Sequence, residues 1–430
     1  MTTNQEMRKS ALLAWLICGL GAVYYCYEFF LRITPSVMRP ELTRVYHLDG
    51  AQFGNLIAMY YYIYVPMQIV VGLLMDRYGP RRLLTVACLL CALGTYLFAC
   101  SQILLVAQIG RLFIGFGSAF AFVGAIKLAT IWLPPNRFAL LSGIIMCLGM
   151  VGGMIGNFSL RVMVDAIGWE WTIYLSAIAG IVLAFVLWKL IQDKNPGNKY
   201  QVHESIHFAE LFAGLKVALK DPQIWLNGAV GLALYLALSL FAESWGISYL
   251  EEGQGLSKLS AAGANSMVFL GWAIGSPLWG WLSDMVGRRS APVIVATAIA
   301  FVLMCIVLYV PGIPVSILYG ILFVFGVMTS AQILVFAICH EISSTKITAT
   351  AIALTNMIIM FGGIVFQPLA GKILDIFWTG EMSNGTPVYS AVAYQWALSV
   401  LPVCLLVAVV LMFFVRETYC EVKGADHHPH

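Results

Sequence analysis

Five ionisable residues, Glu28, Arg32, Arg111, Lys127 and Glu243, lie inside long apolar runs of the chain. A charge near the centre of a bilayer is costly, so each is a candidate point on a solute or ion path. Glu28 and Arg32 are four residues apart and would stack on one helix face, with Tyr24 a turn below. A guanidinium can hold a carboxylate through two hydrogen bonds, and a carboxylate beside it offers the opposite charge, so the pair could meet both ends of a zwitterion. The alternative is a structural ion pair in which each charge makes the other tolerable. Tyr235, Ser239 and Glu243 repeat the same spacing 211 residues later. Glu28 or Glu243 could also carry a proton, since burial favours the neutral acid; Glu243 could instead sit at a membrane surface near a loop.

Other polar groups in these runs extend the set. Arg111 could face a solute path or cap neighbouring helix carbonyls, and the stem of Lys127 could snorkel to water. Tyr60, Tyr61, Tyr62 and Tyr64 with Gln68 give one run a hydroxyl-rich surface. Asn157, Asn356 and Gln367 suit hydrogen bonding to a polar solute or, equally, bonding between helices.

The elements that must position these groups follow from composition. Of 430 residues, 60% are hydrophobic and only 10% charged, against about a quarter charged in soluble domains. A water-soluble fold is excluded. Twelve apolar segments can be marked, at about 11–37, 53–74, 83–100, 104–133, 138–164, 171–191, 225–250, 261–282, 291–310, 313–338, 348–373 and 392–415, each near the ~20 residues that cross a bilayer. The stretch from Gln192 to Asp221, with Lys194, Lys199, Glu204, Glu210, Lys216 and Lys220, reads as a linker with an amphipathic helical part. The expected organisation is an all-α membrane protein with twelve transmembrane helices in two six-helix pseudo-symmetric bundles. The bundles would cover residues 1–191 and 222–416, joined by the linker 192–221 and followed by a cytoplasmic tail, 417–430.

Lys and Arg favour cytoplasmic loops. With both termini inside, that side collects Arg8, Lys9, Arg77, Arg81, Arg82, Arg137, Arg288, Arg289, Lys346, Arg416 and Lys423. The net charge of +3 is dispersed, which is no footprint for nucleic acid. The ten cysteines lie mostly in apolar runs, and the Cys88-x-x-Cys91 spacing has no His or second pair beside it, so neither a metal nor a cofactor is expected.

The two halves repeat. Gly72-Leu-Leu-Met-Asp76-Arg-Tyr-Gly79 is matched 208 residues later by Gly280-Trp-Leu-Ser-Asp284-Met-Val-Gly287. Gly152-Gly153 with Asp165 is matched 210 residues later by Gly362-Gly363 with Asp375. A near-constant offset across separate motifs is what duplication of a six-helix unit leaves, and parallel repeats of this kind build transporters.

At this point the chain resembles the major facilitator superfamily over essentially its whole length. The most specific likeness is Gly72-x-x-x-Asp76-Arg77-x-Gly79-x-Arg81-Arg82, which looks like the signature loop of that family, with a degenerate copy ending in Arg288 and Arg289. Arg111 followed by Gly115 and Gly117, and the run Gly149-x-x-Gly152-Gly153-x-x-Gly156, resemble two further motifs. Pro80 stands at a position usually basic, and Met285 replaces the basic residue expected after Asp284. The fifth-helix run lacks the proline of the drug/proton antiporters. The resemblance implies that Asp76 meets the positive end of the eleventh span's dipole, with Arg77, Arg81 and Arg82 completing a cytoplasmic gate to which Gly72, Gly79, Asp284, Arg288 and Arg289 also belong. Tyr24-Tyr-Cys-Tyr-Glu28-Phe-Phe-Leu-Arg32-Ile-Thr-Pro35-Ser-Val resembles the intraphagosomal amino-acid transporter group and the related lysosomal dipeptide transporter group.

The expectation is therefore a monomeric permease in the bilayer of a cell (inner) membrane. It would import a small polar solute, amino acids or dipeptides foremost, by alternating access with proton symport. Export of drug-like compounds or siderophores, or transport of organic anions, is the alternative. No nucleophile elbow, phosphate loop or His-rich cluster points to an enzyme.

Overall fold

The computed structural model describes the backbone of residues 2–133, 135–193, 208–344, 347–383 and 386–421, and side chains over 12–133, 142–193, 213–344 and the same later ranges. Lys346, Lys423, Lys194, Lys199, Glu204, the tail Asp426–His430 and the side chains of Arg8, Lys9, Arg137 and Glu210 lie outside the described residues.

Nearly every described residue is helical. The first half holds α1 (Thr2–Val37), α2 (Arg39–Tyr46), α3 (Gly50–Tyr78), α4 (Pro80–Ala99), α5 (Leu104–Trp132), α6 (Pro135–Ile167) and α7 (Trp169–Leu190). After α8 (Phe208–Ala218) come α9 (Pro222–Leu236), a π-helical stretch Ala237–Trp245, α10 (Gly246–Glu252), α11 (Lys258–Val286) and α12 (Ser290–Tyr309). Then follow α13 (Val315–Thr329), a 3-10 turn Ser330–Gln332, α14 (Ile333–Ile342), α15 (Thr348–Ile376), a short hairpin of β1 (Met382–Ser383) and β2 (Thr386–Pro387), α16 (Ala391–Leu398) and α17 (Val400–Met412). Eleven helical runs among the described residues are long and apolar enough to cross a membrane. α11, with 29 residues, falls where the eighth span was expected, so the chain is a nearly all-helical membrane protein of the twelve-span plan.

Prolines inside α1 (Pro35), α3 (Pro66), α11 (Pro277) and α15 (Pro368) each remove one backbone donor from the ladder. In a membrane the freed carbonyl must find another donor within the protein. That need shapes the site below.

Two compact units emerge, one of Met1–Thr34 with Tyr62–Ile206 and one of Pro35–Tyr61 with His207–His430. The unit boundary therefore differs from the sequence repeat, because Pro35–Tyr61, carrying the end of α1, all of α2 and the start of α3, groups with the second unit. Within the first unit, α4 and α5 meet at two glycines: a methyl on Gly94 would stand 2.9 Å from the Ile114 nitrogen, and one on Gly110 would stand 3.0 Å from the Phe98 nitrogen. Small residues at such a seam let helix backbones touch.

Candidate functional site

In the first unit, α1 presents Glu28 and Arg32 on one face, and they form a salt bridge in which Arg32 Nε donates to Glu28 Oε1 at 2.9 Å. Both side chains are buried, 0% and 2% exposed. The Arg32 guanidinium lies 4.4 Å from the Phe29 ring centre and 5.3 Å from that of Tyr64 on α3, a face-on packing that suits a weakly hydrated cation. Tyr24, on the same stripe, is fully buried and donates to the Gly117 carbonyl of α5 at 2.9 Å.

Arg111 on α5 is 1% exposed and donates to the carbonyls of Leu31 at 3.2 Å and Arg32 at 3.5 Å. Leu31 is four residues before Pro35, so its carbonyl is the one that proline deprives of an amide partner. The guanidinium thus fills the gap in the α1 ladder and fixes the backbone that carries Arg32. Of the two roles weighed for Arg111, capping helix carbonyls is the geometry observed.

Lys127 lies beside the signature loop: its Nζ is 2.5 Å from Asp76 Oδ1, with the two side chains 30% and 28% exposed. The loop itself turns at Gly79, whose φ of +79° suits glycine. Arg81 follows, its backbone N–H donating to Asp193 at 2.8 Å and its guanidinium stacked 4.4 Å from the Trp188 ring centre. Arg77 lies over Tyr78 and is exposed, as are Gly72 and Arg82. Gln68 is half-buried on α3. Asn157 on α6 is fully buried, and neither its Nδ2 nor its Oδ1 has a hydrogen-bond partner among the described residues.

In the second unit, Glu243 is 2% exposed inside a span, which overturns the surface alternative for it. Its carboxylate accepts from the Tyr61 hydroxyl at 2.6 Å and the Tyr235 hydroxyl at 3.4 Å. The regular four-residue stripe expected from Tyr235, Ser239 and Glu243 does not survive, because Ala237–Trp245 winds as a π-helix. Such wide turns leave carbonyls to be satisfied by side chains. Gln367 Nε2 and Ser244 Oγ both donate to the Ser239 carbonyl, the latter at 2.8 Å, and Asn265 Nδ2 donates to that of Ala242 at 2.7 Å. Gln367 also accepts from Trp245 Nε1 at 3.1 Å, so its amide braces the wide turn. Asn356 is half-buried on α15.

The degenerate signature copy gathers around Arg289. Its guanidinium bonds Asp284 at 2.6 Å and Glu341 at 2.8 Å, so Arg289 supplies the cation that Met285 does not. Burial pulls this guanidinium's pKa down, but the hydrogen bonds it donates to Glu341 and Asp284 outweigh it and the net direction is up. Glu417 accepts from the Arg289 N–H at 2.8 Å and the Ser290 N–H at 3.1 Å, capping α12 as Asp193 caps α4. Arg288 lies over the Tyr419 ring.

Sequence reasoning passed over Arg39. Its guanidinium is ringed by Phe53, Trp245, Tyr389 and Tyr394, with ring centres 5.2–5.7 Å away, and it bonds the Tyr394 hydroxyl. The aromatic residues come from three widely separated segments, around Phe53, Trp245 and Tyr389–Tyr394, so no local spacing announces them.

The Major Facilitator Superfamily model matches residues 20–367. The chain is 23% identical to the uncharacterized transporter YybO of Bacillus subtilis (strain 168), over 87% of this chain and 90% of that one. It is 26% identical to the probable sulfoacetate transporter SauU of Cupriavidus necator, over 64% of this chain and 66% of that one. Among solved structures, a bacterial homolog of the human lysosomal transporter Spinster, inward-facing and unoccupied, superposes with a TM-score of 0.71 at 17% identity, covering 94% of this chain and 97% of that chain.

Proposed function

The chain belongs to the Major Facilitator Superfamily, whose members are transporters rather than enzymes, and from that premise we propose that it moves a small carboxylate-bearing solute inward together with a proton. The observation that carries this reading is the Glu28–Arg32 pair, buried in α1 within an apolar span. One guanidinium can serve two carboxylates in turn. When a solute carboxylate docks on Arg32, Glu28 loses its counter-ion in a low-dielectric site, where an extra negative charge is costly. A proton on Glu28 removes that charge, so solute and proton are taken up together and released together. Arg111, by filling the gap opposite Pro35, holds the α1 backbone against this exchange of partners.

The signature loop is the gate in this reading, with Asp76 exchanging partners as the protein cycles and Arg77, Arg81 and Arg82 at its rim. The protein acts as a monomer in a cell membrane with both termini cytoplasmic, by alternating access. The name of the relative SauU supports an organic acid as the solute. An amino acid or dipeptide is a second reading, supported by the position of Glu28, whose carboxylate could accept an ammonium group.

Uptake of a panel of radiolabelled organic acids, amino acids and dipeptides into proteoliposomes, with and without an inward proton gradient, tests this. Gradient-driven accumulation of an acid, lost in Arg32→Gln and reduced to exchange without accumulation in Glu28→Gln, is the expected result. Accumulation that needs neither the gradient nor Glu28 overturns the coupling, and transport untouched by Arg32→Gln overturns the docking site.

A further inference from the structure

We infer that Asn157 is a second solute-binding group beside Arg32, and that it selects acids bearing a hydroxyl near the carboxylate. The inference rests on the carboxylate-transport reading and names the solute class of that site.

The placement follows from how α6 meets α1. A methyl built on Gly149 would stand 2.9 Å from Tyr25 Cδ1 and 3.2 Å from Phe29. One on Gly152 would stand 2.9 Å from the Cys26 carbonyl carbon, and one on Gly156 would stand 3.2 Å from Ile33 Cγ1. The contacts climb both helices in the same sense, so α1 and α6 run parallel. Both are right-handed. In parallel right-handed helices, one step forward from a contact residue on one helix and one step back on the other turn out of the seam on the same side. Asn157 is the step forward from Gly156, Arg32 the step back from Ile33, and Glu28 the step back from Phe29. Asn157 and the ion pair therefore share one side of the seam, with Arg32 within about one helical turn of Asn157 in height, ~5.4 Å, and Glu28 a turn further down. Gly153, a turn before Asn157 on that side, carries no side chain.

The chemistry follows from what Asn157 lacks. Its side chain is 0% exposed, and both its donor and its acceptor atom are without a hydrogen-bond partner among the described residues. The bland reading of a membrane asparagine is a bond between helices, and among the described residues that bond is not made. Leaving both ends of an amide unsatisfied in an apolar interior is expensive, and such groups are retained where they do work. A hydroxyl both donates and accepts, so it satisfies both ends of the amide. An ammonium group only donates and a keto group only accepts, and each leaves one end unmet. A hydroxy acid with its carboxylate on Arg32 and its hydroxyl on Asn157 fits the pair.

Competition for uptake by full-length protein in proteoliposomes reads this directly, using sets that differ at one group: lactate, propionate and alanine; malate, succinate and aspartate; with gluconate as a polyhydroxy acid. The hydroxy member of each set is expected to compete at least about tenfold better than its deoxy and amino analogues, since a site built around a hydroxyl penalises its loss. In Asn157→Ala and the near-isosteric Asn157→Leu, the preference collapses to within about threefold while the deoxy acid binds as before. Equal competition by hydroxy and deoxy acids in the unaltered protein overturns the inference without needing any variant, and leaves carboxylate transport standing if Arg32→Gln still abolishes it. Preference for the amino analogue, or a hydroxyl preference that persists in both variants, also overturns it. If no carboxylate competes at all, this inference falls together with the reading beneath it.

Discussion

Lys127 holds Asp76: the lysine nitrogen on α5 stands 2.5 Å from the carboxylate at the end of α3. Both belong to the first compact unit, so the signature carboxylate has a partner within its own unit. Lysine reaches it because α5 runs through Leu104–Trp132 as one unbroken helix whose last turns lie level with the end of α3. The second half answers with a different geometry, Arg289 on Asp284 at 2.6 Å, from the loop itself rather than from a neighbouring span.

Lys127→Met is expected to change the rate of cycling and not the fold. The pair is partly exposed, and such bridges contribute about 0–1 kcal/mol, so the unfolding midpoint in detergent should shift little. Uptake rate should change several-fold with the half-saturating solute concentration unaltered, and Asp76→Asn should do the same. The double variant should be no worse than either single one. Additive losses in the double variant would mean that the two residues act separately.

Breaking the Glu28–Arg32 pair on one side should cost far more. Removing one member of a buried pair leaves a charge in an apolar interior, at about 3–5 kcal/mol. Glu28→Gln and Arg32→Gln are each expected to lower the unfolding midpoint by several degrees, and Glu28→Gln/Arg32→Gln together to recover much of the loss. The check is a double-mutant cycle on thermal unfolding. A double variant less stable than both singles would show that the pair is held by its other neighbours rather than by each other.

How much of this was legible depended on range. The helical spans were read from apolar runs because burial in lipid leaves a signal in every residue, and α1, α4, α5, α12 and α15 begin or end within a few residues of the expected positions. The π-helical turn at Ala237–Trp245 left no such signal, since its composition is that of an α-helix and the side chains that satisfy its carbonyls, Gln367 and Asn265, come from other elements. Arg111 was marked as a membrane charge, but its partner is the carbonyl freed by Pro35, some 80 residues away. Asp193 and Glu417 fall in the stretches read as linker and tail. Each instead caps the helix that follows a signature loop.

Asp375 offers a prediction with a pH sign. Its carboxylate accepts from the Gly50 N–H at 2.8 Å, the Ala51 N–H at 2.7 Å and the Tyr389 hydroxyl at 2.5 Å, all within the second unit. A negative group at the start of α3 gains from the helix dipole, and Asp375→Asn should cost about 1–2 kcal/mol. Burial, followed by the hydrogen bond to Asp375, raises the Tyr389 pKa above its ordinary value. The unfolded chain therefore releases the Tyr389 proton near about pH 10, while the folded chain still holds it. Stability from this group is complete below that pH and is lost as pH climbs through the window above it. Tyr389→Phe should flatten the alkaline fall in the unfolding midpoint, and an unchanged alkaline slope would remove Tyr389 from the account.

Tyr61 and Glu243 give the sharpest ranking. The Tyr61 hydroxyl donates to the carboxylate at 2.6 Å, and its ring lies against Gly363, where a methyl would stand 2.6 Å from it. Tyr61→Phe keeps the ring in place and takes from the buried carboxylate the 2.6 Å bond, while the Tyr235 hydroxyl stays at 3.4 Å. A weakened bond to a buried charge costs about 1–3 kcal/mol. Glu243→Gln removes the charge and keeps an oxygen that can still accept from Tyr61, so it should cost less. Tyr61→Phe is therefore expected to be the less stable of the two on thermal unfolding, and combining it with Glu243→Gln should cost less than the sum. Uptake then separates structure from coupling: if Glu243→Gln keeps its stability but loses the response to a proton gradient, Glu243 joins Glu28 as a proton site. An unaltered gradient response leaves it as the anchor that ties α3 to the wide turn. A Glu243→Gln protein less stable than Tyr61→Phe would contradict the hydrogen-bond ranking itself.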